Sequence, residues 1–163
     1  MGSSQAQSAV SFYLLTYTLS TAGAFGSLIL CGSRGREAVS FEDLAGVGKR
    51  HPAAALAFSL FLLSLAGIPP TAGFFGKLYV FTAAVESGLY VLTVIGLLNS
   101  VVAAYYYLRV MVYMYMRDPA PEAVLAVPMR SGMVNVALLL AAIGVVLVGI
   151  LPGSALHFAS GAP

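Results

Sequence analysis

The chain has 163 residues, of which 60% are apolar and only 9% charged, with a formal net charge of +2 and a mean hydropathy of +0.92. Soluble domains carry about 25% charged residues, and a chain this poor in charge would expose apolar patches that aggregate in water, so its solvent is lipid or other apolar protein. There is no basic tract to follow a phosphate backbone, which argues against nucleic-acid binding, and the single cysteine, Cys31, excludes an intrachain disulfide, a Cys-based zinc site or an iron–sulfur site within the chain.

Met1 to Gln7 form a short polar lead with no basic n-region, and the first Lys or Arg is Arg34, so the N-terminus is not a secretory signal. About 20 apolar residues cross a bilayer as a helix, and four segments meet that length: about 8–32, 52–85, 87–116 and 131–152. The connection from Ser33 to His51 holds Arg34, Arg36, Lys49 and Arg50, and the one from Arg117 to Arg130 holds those two arginines with Pro119, Pro121 and Pro128. The Glu86–Gly88 link and both termini hold no Lys or Arg. Basic residues accumulate in short cytoplasmic loops, so the first and third connections are expected in the cytoplasm and both termini on the outer side.

The first span is charge-free and rich in small and hydroxyl residues, including Thr16, Ser20 and an Ala22/Gly26 small-xxx-small pair, which predicts a face packed against other helices. The second span, Pro52 to Val85, has 34 residues. As one straight helix it would be roughly 51 Å long at 1.5 Å per residue, against a hydrocarbon core about 30 Å thick. Its centre reads Gly67-Ile68-Pro69-Pro70-Thr71-Ala72-Gly73. The two prolines remove two amide donors and clash with the preceding turn, Ile68 is pushed off helical dihedrals, and Gly67 and Gly73 admit unusual ones. The expectation is two half-helices joined by an unwound link. Such backbone is tolerated at membrane depth only where protein buries it or it lines a cavity, and discontinuous helices are a usual site of ion handling. A proline kink that only aids packing is the competing reading.

Lys77 decides between them. It follows 24 uncharged residues, Ala53 to Gly76, and eight more precede Glu86. A lysine near the bilayer centre costs about 2.5–3.5 kcal/mol, and Lys77 is too far from either end to snorkel easily. Its neighbours Phe74, Phe75, Leu78, Val80 and Phe81 offer no counter-ion, so the partner is expected on another helix, in water or on another chain. Loss of solvation disfavours the charged form of an amine, which is what a proton relay requires; a permanent pairing with a carboxylate is the structural alternative. Arg109, among Tyr105, Tyr106, Tyr107, Tyr113 and Tyr115 at the cytoplasmic end of the third span, reads as a basic anchor in an interfacial aromatic belt, with a secondary polar role as the other reading. Asn99 and Ser100 read as interhelical hydrogen-bonding groups. Glu86 reads as solvated, and Cys31 as a small buried hydrophobe. His51 and His157 have no metal-like companions, and no nucleophile–base set, phosphate loop or dinucleotide fingerprint is present.

The run from Ser64 to Lys77, SLAGIPPTAGFFGK, resembles the broken helix shared by the antiporter-like subunits of respiratory complex I and the Mrp-type sodium/proton antiporters. Its Gly-Ile-Pro-Pro start and Gly-Phe-Phe-Gly-Lys end are most similar to the subunit N branch; in subunit M the charged position is typically glutamate. Phe41-Glu42-Asp43-Leu44-Ala45-Gly46 and Ala104-Tyr105-Tyr106-Tyr107-Leu108-Arg109-Val110 extend the resemblance over most of the chain.

That resemblance implies an all-α integral membrane fold of four spans, the second discontinuous, equivalent to helices 11–14 of a fourteen-helix antiporter-like architecture, in the bacterial inner membrane. It implies that Lys77 is the terminal lysine of a central hydrophilic axis, near an outer proton exit, and that Gly67, Pro69, Pro70 and Gly73 form the link of the broken helix. The implied partners are the other complex I membrane subunits, the preceding helices of the same fold and the lipid bilayer. NADH, FMN, iron–sulfur clusters and quinone are expected in partner subunits, with no cofactor and no redox active site in this chain. About ten helices of the family pattern have no counterpart here, nor do its upstream glutamate and two lysines, so this sequence alone is not expected to form a complete proton path. The function implied is a component of a proton-translocating NADH:quinone oxidoreductase; an Mrp-type cation/proton antiporter subunit and a structural membrane module without transport of its own are the alternatives.

Overall fold

Long runs of Leu, Ala and Val without an internal proline leave the backbone amides no partner but the preceding turn, and in lipid every such group must be satisfied internally. The computed structural model describes residues 2–31, 40–118, 132–151 and 153, and it is all-helical over them. α1 (Gly2–Cys31) takes in the polar lead and the first span. Two short helices follow, α2 (Phe41–Leu44) and α3 (Val47–Arg50). Then come α4 (Pro52–Ala66), α5 (Ala72–Glu86), α6 (Tyr90–Met116) and α7 (Gly132–Ile150). Residues Ala6–Cys31 of α1, with α6 and α7, are long and apolar enough to cross a membrane, and α4 is a shorter apolar helix. The second span is thus two half-helices, α4 and α5, of 15 residues each. The architecture is a four-span membrane bundle with one discontinuous span.

α1 runs along both halves of the broken helix, and α7 packs against α1 and α5, so the interruption lies between two intact helices. The buried residues gather on the same seam: Ala24 and Cys31 of α1, Ala55, Phe58, Phe61 and Leu62 of α4, Ala72 of α5, Met114 of α6 and Val145 of α7. The small residues of α1 do pack, but with a different pairing from the one its spacing suggested. Ala22 is exposed. Gly23 receives the Phe61 ring, and Gly26 approaches Leu138 of α7. A helix turns 100° per residue, so a one-residue error in the face swaps a buried position for a lipid-facing one.

The short helices close one end of the bundle. Ser40 caps α2 in a reciprocal box: its hydroxyl accepts the Asp43 N–H at 3.2 Å, and its own N–H donates to Asp43 Oδ2 at 2.9 Å. Lys49 in the first connection pairs with Asp118 in the third at 3.0 Å, which brings those two connections to the same end. Arg34, Arg36, Pro119, Pro121, Pro128, Arg130 and His157 lie outside the described residues. The outward faces of α6 and α7 are apolar and exposed, among them Val91, Leu98, Val101, Leu139 and Leu140, as expected of a surface whose solvent is lipid or neighbouring apolar protein.

Candidate functional site

Breaking a helix at membrane depth orphans four carbonyls on one side and four amides on the other. Here all four carbonyls at the end of α4 have partners. Gly67 enters the left-handed region at φ +82°, and its N–H reaches the carbonyls of Leu63 and Ser64, both at 3.0 Å. Ile68 N–H returns to Leu63 O at 3.0 Å, completing a Schellman-type end. That leaves the carbonyls of Leu65 and Ala66. The Lys77 ammonium takes both, donating to Leu65 O at 3.0 Å and to Ala66 O at 3.1 Å. Lys77 therefore caps the C-terminus of α4 from the next half-helix, where the helix dipole favours a cation.

The other side of the break is held by Ser64. Its hydroxyl accepts the Gly73 N–H at 3.1 Å and lies 2.7 Å from the hydroxyl of Ser20 on α1. Thr71, at the cap position of α5, instead turns its hydroxyl to Ile68 O at 2.7 Å. The link between, through Pro69 and Pro70, is joined by a cis peptide bond. Gly73 is pressed onto the Ser64 carbonyl, so closely that a Cβ there would overlap it, and Gly149 of α7 lies in the same way on the Pro70 carbonyl. Gly67, Pro69, Pro70, Gly73 and Lys77 form one compact unit clasped by α1 and α7.

Lys77 is half-buried. It lines a cavity of about 430 Å³ shared by α1, α4, α5 and α6, whose polar groups are Tyr13, Tyr17, Asn99, Ser100, Tyr106 and Tyr107. Among the described residues the ion pair is Lys49–Asp118, and no carboxylate bonds to Lys77. An ammonium has three N–H donors. Two are held by carbonyls and one remains for the cavity. A neutral amine keeps two N–H groups and has a lone pair in the third position, so the cap can persist in either charge state.

The other candidate positions divide. Asn99 lines the cavity. Ser100 donates back to Gly96 O at 3.0 Å within its own helix, rather than across helices as its polarity suggested. Arg109 is exposed, with its guanidinium 5.1 Å from the Phe41 ring centre and 5.9 Å from that of Tyr113. It ties α6 to α2 by cation–π contact. Arg109→Ala in the full-length subunit is expected to cost about 0.5–1 kcal/mol, read as a small fall in thermal unfolding temperature in detergent, with the Lys77 unit unaltered. Four of the five tyrosines also make distinct contacts within the bundle. Tyr113 stacks at the Arg109 end. Tyr115 accepts from Ser59 at 3.2 Å. Tyr106 and Tyr107 turn into the Lys77 cavity. Ser20, Ser64, Tyr13 and Tyr17 are not legible as site residues in the sequence, because hydroxyl and ring content alone does not tell which helix face meets the break.

Among the described residues no group of His, Cys, Asp and Glu could hold a metal ion, and Cys31 is a single buried thiol. These residues do not fit an iron–sulfur cluster.

Comparison with known proteins agrees with this architecture. The family described as NADH:quinone oxidoreductase/Mrp antiporter, TM, matches residues 1–103. The chain is 68% identical over 157 residues to NADH-quinone oxidoreductase subunit N 1 of Sorangium cellulosum, covering 96% of this chain and 31% of that protein. It is 46% identical over 152 residues to subunit N 1 of Solibacter usitatus, covering 93% and 31%. The chain thus spans about a third of the length of these curated relatives. Among solved structures it is similar to a chain of respiratory complex I from Thermus thermophilus with bound aureothin, at a TM-score of 0.78 and 34% identity over 92% of this chain and 34% of that one. It has the same TM-score, at 19% identity, with a chain of the Mrp complex from Dietzia sp., over 94% of this chain and 36% of that one; this second likeness concerns the fold alone. The chain belongs to the NADH:quinone oxidoreductase/Mrp antiporter transmembrane family, as a C-terminal part of a subunit N.

Proposed function

We propose that this chain is part of a proton half-channel in a proton-translocating NADH:quinone oxidoreductase, and that Lys77 is the amine that takes up and gives back the proton. The observation that carries this reading is the setting of the Lys77 ammonium. It is anchored by the two orphan carbonyls of Leu65 and Ala66, bonds to no carboxylate among the described residues, and has one N–H left for a cavity with polar walls. A permanent ion pair would hold the charge fixed. Neutral carbonyl partners can hold either charge state.

In this reading Gly67, Pro69, Pro70 and Gly73 create the orphan carbonyls, Asn99 contributes to the polar wall, and Arg109 anchors α6 away from the proton. The subunit lies in the bacterial inner membrane with both termini outside. The basic connections support that orientation, and the Lys49–Asp118 pair supports placing them at one end. The remaining helices of the fold and other membrane subunits complete the path, and the NADH, FMN, iron–sulfur and quinone chemistry belongs to partner subunits. The subunit N identity of the relatives, 46–68% for the two above, favours this over an Mrp-type cation/proton antiporter, whose likeness rests on fold.

The test is Lys77→Met in the full-length subunit, assembled in its complex in sealed vesicles. Proton pumping driven by NADH oxidation should fall at least about tenfold. Removing the cap also leaves two carbonyls unsatisfied, at about 1–3 kcal/mol each, so assembly is measured in parallel. Undiminished pumping by an assembled Lys77→Met complex would remove the carrier role.

A further inference from the structure

A further cavity, of about 280 Å³, lies between α2 and α6 at the end of the bundle that carries the first and third connections. Its described lining is Glu42, Ala45, Tyr113, Arg117 and Asp118. α6 has 27 residues, about 40 Å of helix, and a bilayer with its headgroup layers is about 40–45 Å thick. Arg117, the residue after the last turn of α6, therefore comes at headgroup depth.

This cavity holds an acid and a base that do not pair with each other. Asp118 is engaged by Lys49 at 3.0 Å. Glu42 is exposed, and among the described residues no ion pair joins it to Arg117 or to another cation. The Arg117 guanidinium lies 5.6 Å from the Tyr113 ring centre, and the same ring carries Arg109 at 5.9 Å. Stacking occupies the face of a guanidinium and leaves the N–H fork at its edge for an oxyanion. One pole of each sign thus borders the same space, too far apart to bond directly.

We propose that this cavity binds the headgroup of a phosphatidylethanolamine, with its phosphate on Arg117 and its ammonium on Glu42. A zwitterion meets both free charges at once. An anionic headgroup would serve Arg117 and be repelled by Glu42, and the trimethylammonium of phosphatidylcholine has no N–H to give the carboxylate. The surface beside the cavity favours a whole lipid over a free zwitterion. At 100° per residue, the exposed Val91, Leu98, Val102 and Tyr105 lie within about 40° of Arg109, as Tyr113 does. An apolar stripe therefore runs along α6 to the two arginines, and acyl chains lie along it while the headgroup sits at its end. Basic and aromatic side chains at a span end are the usual neighbours of headgroups; what is particular here is the carboxylate on α2, which selects the zwitterion.

The test uses the full-length subunit assembled in its complex and delipidated in detergent. It is titrated with phosphatidylethanolamine, phosphatidylcholine and phosphatidylglycerol that share one photoreactive acyl chain, and labelling of the α6 peptide is read by mass spectrometry. Phosphatidylethanolamine should label at about tenfold lower concentration than the other two, the ratio expected for one charge-assisted contact. Arg117→Ala and Glu42→Gln should each raise its half-labelling concentration about tenfold. Both side chains are exposed, so neither change disturbs the core. Glu42→Lys makes both poles positive and should reverse the preference, to phosphatidylglycerol over phosphatidylethanolamine. Equal labelling by the three headgroups, which marks an ordinary annular lipid, overturns the proposal. So does a face of α6 that no lipid labels, or a preference for phosphatidylethanolamine that survives either Arg117→Ala or Glu42→Gln. None of these readings depends on Lys77.

Discussion

Gly73→Ala in the full-length subunit is expected to abolish most of the folded, assembled protein, although it adds a single methyl group. The reason is the identity of the atom it would strike. The Cβ would overlap the Ser64 carbonyl, which is backbone, and would crowd the Ser64 hydroxyl as well. A flexible side chain could swing aside, as the tip of Lys77 could beside Gly67, but a carbonyl moves only with its helix. Relieving the overlap means drawing α5 away from α4, and that movement breaks three polar contacts together: Gly73 N–H to Ser64, and Lys77 to Leu65 O and to Ala66 O. Overpacking alone costs about 1–3 kcal/mol, and each buried group left unsatisfied adds about 1–3 kcal/mol. A loss above about 4 kcal/mol is a large part of a protein's net stability. The measurement is the yield of assembled complex and its unfolding temperature in detergent. A Gly73→Ala subunit that assembles normally would mean that the two half-helices are not in this contact. Gly88, whose Cβ would meet nothing within 4 Å but whose φ of +75° still favours glycine, supplies the contrast: its substitution strains a turn without touching the site.

The contrast between Gly73 and Gly88 also marks what a sequence can convey. That a break occurs is written in covalent geometry: Pro69 and Pro70 cannot donate, and a span of 34 residues is longer than the membrane is thick. That Lys77 is special follows from the cost of a charge in a long uncharged stretch. Both arguments need only local chemistry and length. The identity of the partner of Lys77 was not accessible in this way. A search among side chains looks for a carboxylate, and the partners are the backbone carbonyls of Leu65 and Ala66, available only because Gly67 ends α4 in a Schellman turn that satisfies two of the four orphans and leaves the other two. The same limit governs the hydroxyls. Ser64 and Ser100 are alike in sequence terms, each in an apolar helix, yet one bridges three elements and the other bonds within its own turn. The division of the tyrosines between the Arg109 end and the Lys77 cavity depends on the rotation of α6, and 27 residues of nearly uniform apolarity carry little information about rotation.

Lys77→Arg separates the structural duty of this side chain from the chemical one, and it is expected to leave an assembled complex whose proton pumping is at least about tenfold slower. A guanidinium has five N–H donors and no acceptor, so it can cap Leu65 O and Ala66 O as the ammonium does and keep the favourable charge at the end of α4. Stability should therefore change by less than about 1.5 kcal/mol, the cost of a modest misfit against Gly67, where Lys77 Cδ already lies 3.0 Å from the Cβ position. What arginine cannot do is release its proton, because the guanidinium stays charged in proteins. The charge at the break is then permanent, and a carrier that never empties cannot cycle. A residue serving only as a cap would tolerate the exchange, and pumping would continue at its original rate. Unfolding temperature and NADH-driven pumping, measured on the same preparation, give the two readings side by side: stability kept with transport lost places the function in the lone pair that lysine can expose and arginine cannot, whereas transport kept would show that the positive charge at the end of α4 is all the site requires.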